Sequence, residues 1–183
     1  MDYTVGIVVG GSYSRNNSSD DGIVTVSKPL NSFITGGGYI ILSKSAGERK
    51  GDVGSRNNFG FNVKYNKGGT NPQGHANVIW RSGGHTYQVK STSITSMSAD
   101  PTTGNAQFVS KGVIQDITNQ DAPVSVDGNA TLKLEMVDKG EPGSSDTIAI
   151  TVYKKDNTLY YSSNWNGTNT VQQTLDGGNL SVH

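Results

Sequence analysis

The stretch NVIWRSGGHTYQVK, residues 77–90, decides the fold. Two adjacent glycines lie at its centre, and the favoured two-residue hairpin turn needs positive φ at both central positions. A turn at Gly83-Gly84 therefore fixes how the flanking strands pair. The predicted pairs are Ser82 with His85, Trp80 with Tyr87, and Val78 with Val89. Because a slip of one residue would carry the aromatic side chains to the solvent face, the turn and the hydrophobic pattern specify the same hairpin.

Two other turn sequences predict further hairpins. Asp127-Gly128-Asn129 predicts a three-residue loop, because only that length keeps the flanking apolar side chains on one face. Asp156-Asn157 predicts a two-residue turn. The pairs expected from these turns are Val126 with Ala130, Val124 with Leu132, Val152 with Tyr161, and Tyr153 with Tyr160. Since neighbouring residues of a strand alternate faces, one of Tyr160 and Tyr161 is expected outside the core.

Strand signals recur along the rest of the chain, and no segment has the 3.6-residue period of a helix. Residues 59–65 alternate aromatic or apolar with polar side chains. Tyr3, Val5, Ile7 and Val9 predict a first strand, residues 23–26 a second, and Pro29 a boundary. The chain is predicted to be all-β, with about a dozen short strands and no substantial helix. Irregular strand spacing and long loops favour an antiparallel β-sandwich, and a β-barrel is the alternative.

Composition excludes several classes of function. The 183 residues fit one domain of ordinary size, or one domain with a fragment of another. Fifteen basic and fifteen acidic residues balance without a block of either sign, so no nucleic-acid partner is expected. No apolar run approaches the roughly 20 residues that span a bilayer, so no membrane insertion is expected. The absence of cysteine excludes a thiol nucleophile.

Ordered motifs from Phe33 to His183 carry a family resemblance. They are TGGGYI (35–40), NNFGFNVKYNKGG (57–69), IQDIT (114–118), APVSVDGNATL (122–132), DKGEPGSSDTI (138–148), SSNWNGT (162–168) and GGNLSVH (177–183). This run resembles a C-terminal module of multi-domain bacterial secreted and cell-surface proteins, found after Ig-like, HYR or cadherin-like repeats. Residues 2–30 resemble the end of a preceding Ig-like repeat. The expected organisation is therefore a remnant at 1–30 and an all-β module at 31–183.

The resemblance implies an extracellular or cell-surface location and a structural or adhesive role without catalysis. Its expected partners are other protein chains or cell-surface glycans, and it transfers no catalytic or ligand-binding residue. If residues 2–30 are the remnant of a repeat, their first strand has an unpaired edge that must be satisfied. That strand is expected to add to the module's sheet or to a neighbouring molecule, which would build a homo-oligomer.

The acidic loop with Asp138, Glu141 and Asp146 is the candidate metal site, and calcium is the ion it would take. Calcium prefers several oxygen ligands from a flexible loop, and the Pro142-Gly143 turn would fold the three carboxylates toward one another. The alternative is a solvated turn between two strands. The three histidines do not converge in the expected register, which argues against a histidine metal site.

A tryptophan turn is the candidate ligand site. Trp165 lies between Asn164 and Asn166, where an exposed ring flanked by amides would stack on the face of a sugar. The chain would then be a carbohydrate-binding module. The alternative is a tryptophan that fills the core.

An unrecognised hydrolase is the third interpretation. Glycoside hydrolysis needs two carboxylates across a cleft, and Glu135 would pair with Asp116 or Asp146. No nucleophile elbow, zinc-protease motif or phosphate-binding loop occurs. The glycines at 36–38 lack the helix that a dinucleotide site needs, so they are interpreted as backbone lying against a neighbour. No enzyme activity is expected.

Overall fold

A computed structural model describes residues 2–5, 22–25 and 32–183. Its contacts divide the chain into two compact units, Met1–Leu30 and Asn31–His183. In the first unit, β1 (Asp2–Val5) pairs antiparallel with β2 (Gly22–Thr25). The predicted strand positions Ile7, Val9 and Val26 lie outside the described residues. The interpretation of this unit as the end of a preceding repeat stays a prediction.

The second unit is all-β, as predicted, and its antiparallel strands form one curled sheet, a half-barrel. This sheet has ten strands, fewer than the dozen expected. They are β3 (Phe33–Ile41), β4 (Arg56–Tyr65), β5 (Pro72–Ser82), β6 (His85–Asp100), β7 (Asn105–Asp116), β8 (Val124–Val137), β9 (Thr147–Tyr153), β10 (Leu159–Ser162), β11 (Gln173–Thr174) and β12 (Gly177–Val182). The described residues contain no helix, and hence none long and apolar enough to cross a membrane.

Most strands pair with the strands that precede and follow them in the sequence. The last two strands depart from that order. The path through the sheet runs β10-β9-β8-β7-β6-β5-β4-β3-β12. β12 therefore pairs with β3, the first strand of the unit, while β11 pairs with β9. The short segment from β11 to β12 thus contacts strands from both halves of the sheet.

The core lies on one face of the curled sheet. Phe59, Phe61 and Val63 of β4 are buried, whereas Asn62 and Lys64 on either side of Val63 are exposed, which confirms the predicted alternation. The same period-two pattern buries one face of β5, β7 and β8. Burial of this continuous apolar face is the main stabilising contribution to such a fold.

The Gly83-Gly84 hairpin has the predicted register. Ser82 pairs with His85, Trp80 with Tyr87, and Val78 with Val89. Both glycines have positive φ, 58° and 81°, as the turn requires. The turn sequence and the hydrophobic pattern were sufficient to specify this part of the sheet.

The hairpin predicted at Asp127 to Asn129 is wrong. These residues lie inside the continuous strand β8, where Ala130 pairs with Gly112 and Asp127 pairs with Ile114. β8 advances three residues there while β7 advances two, so the segment is a β-bulge rather than a turn. The buried Asp127 holds the bulge, because Oδ1 accepts from Asn129 N at 2.8 Å and Oδ2 from Lys155 N at 2.9 Å.

The turn near Asp156-Asn157 was predicted in part. Tyr161 pairs with Val152 as expected, but Tyr153 pairs with Leu159 instead of Tyr160. The register shifts between Leu159 and Tyr161, so the strict alternation of faces is lost there. Tyr160 and Tyr161 are consequently both buried, and the expectation that one of them lies outside is wrong.

The glycines at 36–38 lie where β3 crosses closely against its neighbours. A Cβ on Gly36 would stand 2.6 Å from Leu180 Cδ2 and 2.7 Å from Phe61 Cζ. A Cβ on Gly38 would collide with the carbonyl oxygen of Gly177. The glycines therefore permit close backbone packing, as the sequence indicated.

Candidate functional site

The acidic loop connects β8 to β9 and lies along the outer edge of β12. Leu180 N donates to Asp146 Oδ2 at 2.9 Å, and Val182 N donates to Asp138 Oδ2 at 3.0 Å. Leu180 and Val182 are separated by one residue, so their amide groups point to the same side of the strand. Two carboxylates therefore occupy the place where the carbonyl groups of a neighbouring strand would stand.

The other oxygens of the same carboxylates hold the loop itself. Asp146 Oδ1 accepts from Lys139 N at 2.8 Å, and Asp138 Oδ1 accepts from Gly140 N at 2.8 Å. Asp146 is fully buried. Hydrogen bonds from backbone N–H groups to an ionised carboxylate are among the stronger ones in proteins, and they compensate its burial. The loop is thus a rigid cap on the edge of β12.

Glu141 contacts the same strand through a side chain. Its Oε1 accepts from Asn179 Nδ2 at 2.8 Å. All three residues predicted as calcium ligands therefore meet at one strand edge. Within residues 32–183 and the two short N-terminal strands, no three His, Asp or Glu side chains form a group suited to a metal ion. Calcium at this loop stays a prediction, and the ion would compete with the backbone for Asp138 and Asp146.

The predicted ligand site at the tryptophan turn is a compact loop after β10. Trp165 is half-buried. Its backbone N–H donates to Lys44 O at 2.6 Å, and its main chain forms a β-bridge with Thr170. Asn166 Oδ1 accepts from Thr168 N at 2.9 Å, so this amide oxygen caps the turn. The main chain of Asn164 accepts from Val171 at 2.8 Å. Hydrogen bonds therefore fix the main chain that carries the ring, and sugar binding there stays a prediction.

The carboxylate pair of Glu135 with Asp116 does not form. Glu135 pairs across the sheet with Gln107, whereas Asp116 lies at the far end of the same strand β7. Nine residues (116 − 107) separate those positions, about 30 Å along an extended strand. Asp146, the other predicted partner, already binds Lys139 N and Leu180 N. The pair of Glu135 with Asp116 is thereby excluded, and the pair of Glu135 with Asp146 stays a hypothesis.

Glu135 instead lines a groove of about 220 Å³ that also contains Asp100. Its Oε1 lies 3.0 Å from Lys133 Nζ. Hydrogen bonds from Thr103 and Thr102 hold the pKa of Asp100 below its ordinary value. A catalytic acid of a glycosidase needs a raised pKa, so Asp100 is unsuited to that role.

A buried aromatic cluster lies under the Gly83-Gly84 hairpin. Trp80 stacks on Tyr161 with ring centres 4.4 Å apart, and its Nε1 donates to Arg49 O at 2.9 Å. Burial, and then the neighbouring Tyr87, raise the pKa of Tyr160 to about 12. Tyr161 OH donates to Asn57 Oδ1 at 2.8 Å. These phenols stay protonated at neutral pH and serve packing.

The use of aspartate to bind backbone N–H groups extends beyond the acidic loop. Asp176 Oδ2 accepts from Ile41 N at 2.7 Å, and Asp52 Oδ1 accepts from Gly83 N at 2.9 Å. Sequence reasoning missed these roles. Aspartate often accepts from the N–H two residues later, as Asp127 and Asp138 do, and this habit is the local signal. The long-range bonds of Asp176 and Asp52 have no sequence signal.

The chain matches no protein-family model, no curated protein and no solved structure. Its resemblance to a module of bacterial surface proteins therefore stays a prediction.

Proposed function

We propose that this chain is a non-catalytic structural and adhesive module of a bacterial secreted or cell-surface protein, with an extracellular location. The observation that carries the proposal is the use of the acidic side chains. Asp138 and Asp146 bind the outer edge of β12, and Asp127 holds a bulge. A sheet whose edges are covered resists unwanted strand pairing, which suits a module displayed among other proteins.

The beginning of β3 and the end of β12 lie side by side. Phe33 and His183 exchange two backbone hydrogen bonds of 2.9 Å each, and their rings stack with centres 4.2 Å apart. These contacts hold both ends of the second unit in place, which suits a structural module.

We also infer that the curled sheet closes into a barrel. The strand spacing in the sequence had favoured a sandwich instead. The segment between β11 and β12 supports closure, since Gln173 and Thr174 pair with β9 while residues 177–182 pair with β3. Closure removes exposed edges, as in other barrels. Proton–proton contacts measured by NMR between β12 and the loop at 138–146 test closure, and their absence would favour an open sheet.

The N-terminal unit supports self-association by strand addition. β1 and β2 form a two-stranded sheet, which is at best marginally stable in water without a further surface. We expect strand addition to a second molecule to provide it. Light scattering of residues 1–183 and 31–183 tests this. The full chain should have a mass that is a multiple of its 19.4 kDa protomer, whereas residues 31–183 should be a monomer. Two monomers of equal stability would contradict it.

The absence of catalysis is tested with chromogenic glycosides and esters. The full chain should give no turnover above buffer, and neither should Glu135→Gln, which removes one of the two carboxylates that line the 220 Å³ groove. Turnover that Glu135→Gln abolishes would contradict the proposal. For adhesion, beads coated with the chain should attach to cells or to each other, whereas beads carrying heat-unfolded chain should not.

Carbohydrate binding at Trp165 is the second candidate function, because the side chain is only half-buried and hydrogen bonds fix the main chain that carries it. A glycan screen with the wild-type chain and Trp165→Ala tests it. Binding that the substitution abolishes would support this site, and unchanged binding would exclude it.

A further inference from the structure

A cleft of about 410 Å³ opens on the outer face of the sheet where β6 leaves β5. The two strands pair from Ser82 with His85 as far as Asn77 with Lys90 and then separate. Beyond that point Ala76 N donates to the Ser91 hydroxyl at 2.7 Å, in place of a ladder carbonyl. The register of β6 against β7 also shifts just after Ser91, and a bulge of this kind bends a strand. The cleft is therefore a built feature of the sheet.

Gly60 lies in the lining of this cleft, together with Phe61 and Ala76. A Cβ on Gly60 would meet no atom within 4 Å, and its φ is outside the left-handed region. By contrast, a Cβ on Gly38 would collide with the backbone of Gly177. Glycine weakens the interior of a strand and often marks a place where a ligand approaches the backbone. Since neither conformation nor packing requires Gly60, its effect is to keep the cleft open.

The rim of the cleft carries hydrogen-bond donors and positive charge. Lys90, His75 and Asn62 are exposed and line it, as does Asn77, and no acidic side chain belongs to the lining within the described part of the chain. Gln88 Nε2 donates to Asn77 Oδ1 at 3.0 Å, and Gln88 is itself only 8% exposed. Because its oxygen is bound in this way, the Asn77 side chain offers a ligand its amide nitrogen.

We propose that this cleft binds a carboxylate-bearing sugar. Lys90 and Asn77 receive the carboxylate, Asn62 and His75 bind hydroxyl groups, and an apolar ring face rests over Gly60, where no side chain covers the backbone. The volume lies in the range of small-molecule sites, about 300–1,000 Å³. The ligand must combine an anionic group, hydrogen-bond acceptors and an apolar face, and an acidic sugar has all three. The cleft is separate from the tryptophan turn, and this site goes beyond the structural role proposed above.

Calorimetric titration of the full chain tests the site with three probes. They are the trisaccharide of galacturonic acid, the same trisaccharide with its carboxyl groups reduced to alcohols, and free galacturonic acid. The acidic trisaccharide should bind at least tenfold more tightly than the reduced one. If free galacturonic acid binds as tightly as the trisaccharide, the ligand is a single acidic sugar. If the trisaccharide binds more tightly, the ligand is a glycan chain.

Gly60→Leu is the decisive variant, because it fills the cleft from a position with free space above it. Binding should weaken at least tenfold while the thermal midpoint stays equal or rises. Gly128→Leu is the matched control, since a Cβ there also meets nothing within 4 Å and Gly128 lies on β8, away from the cleft. Lys90→Ala should weaken the acidic probes selectively. No binding at millimolar concentration, or tight binding that Gly60→Leu leaves unchanged, would overturn the proposal.

Discussion

The edge of β12 and the fork between β5 and β6 are two places where a strand has no neighbouring strand along part of its length. At β12 the N–H groups of Leu180 and Val182 are bound by the carboxylates of Asp146 and Asp138. At the fork the strands separate and leave a cleft with a donor-rich rim. The first arrangement covers a sheet edge, and the second keeps part of the sheet's surface open.

Polar residues in this fold serve two different purposes. Carboxylates whose oxygens all accept from backbone N–H groups are committed to structure, even where the sequence suggests a metal site. The side-chain N–H groups of Asn62, Asn77 and Lys90, which surround Gly60 in the cleft, are not committed in this way. The glycines divide likewise, since Gly38 is demanded by packing and Gly60 is not.

The largest effect is expected for Asp146→Ala, which breaks the β12 edge. The substitution leaves the buried N–H of Leu180 and the N–H of Lys139 without their acceptors. We expect a loss of about 3 kcal/mol in the free energy of unfolding. Urea denaturation measures it, with the exposed Asp121→Ala as the control. A loss no greater than that of the control would refute the capping role.

The glycine comparison is expected to give effects of opposite sign. Gly38→Ala should destabilise by about 2 kcal/mol, because its Cβ collides with backbone, which cannot move aside as a flexible side chain would. Gly60→Ala should stabilise by about 0.5–1 kcal/mol, since alanine has the lower entropy cost of ordering. The same denaturation experiment measures both. Equal destabilisation would show that Gly60 too is needed for packing.

Asp127→Ala tests whether the bulge in β8 depends on its aspartate. The bonds to Asn129 N and Lys155 N would be lost, and we expect a cost of about 1–2 kcal/mol. Asp127→Asn keeps one acceptor oxygen and should cost less. If Asp127→Ala has no effect, the bulge is held by strand pairing alone.

Sequence reasoning predicted the fold where a local rule and the hydrophobic pattern agreed. At Gly83-Gly84 both gave one register, and it is correct. At Asp127 the turn sequence predicted a hairpin, but the strand continues through it. The prediction was wrong because aspartate and glycine suit a bulge as well as a turn. At Tyr160 and Tyr161 a bulge invalidated the assumption of strict alternation.

The candidate site was harder to predict, because its bonds join distant parts of the chain. The sequence indicated that Asp138, Glu141 and Asp146 act together, and they do meet at one edge. It gave no sign that β12, more than thirty residues away from Asp146 (180 − 146 = 34), would supply the donors. The pairing of the last strand with the first strand of the unit is a tertiary feature that no local pattern specifies.

The smallest effect concerns the tip of the Gly83-Gly84 hairpin, at the opposite end of the paired segment from the fork. Hydrogen bonds from Thr118, and then His85 at 2.6 Å, hold the pKa of Asp116 below 3.8. Because the folded pKa is lowered, this stabilisation is present above about pH 3.8 and is lost as the pH falls through the folded value. Asp116→Asn should cost under about 1 kcal/mol at pH 7 and progressively less as the pH is lowered. Thermal unfolding over a series of pH values measures it, and a difference that does not shrink in acid would contradict the assignment.

Amide hydrogen exchange at Leu180 and Val182 tests the central claim most directly, because these N–H groups are the ones that the acidic loop binds. The exchange rates are measured by NMR on the full chain, first in the presence of a chelator and then with calcium. The carboxylate cap predicts slow exchange at both residues without metal and no change when calcium is added. Exchange as fast as that of exposed amides in chelator, becoming slow only with calcium, would contradict the cap and establish a metal site.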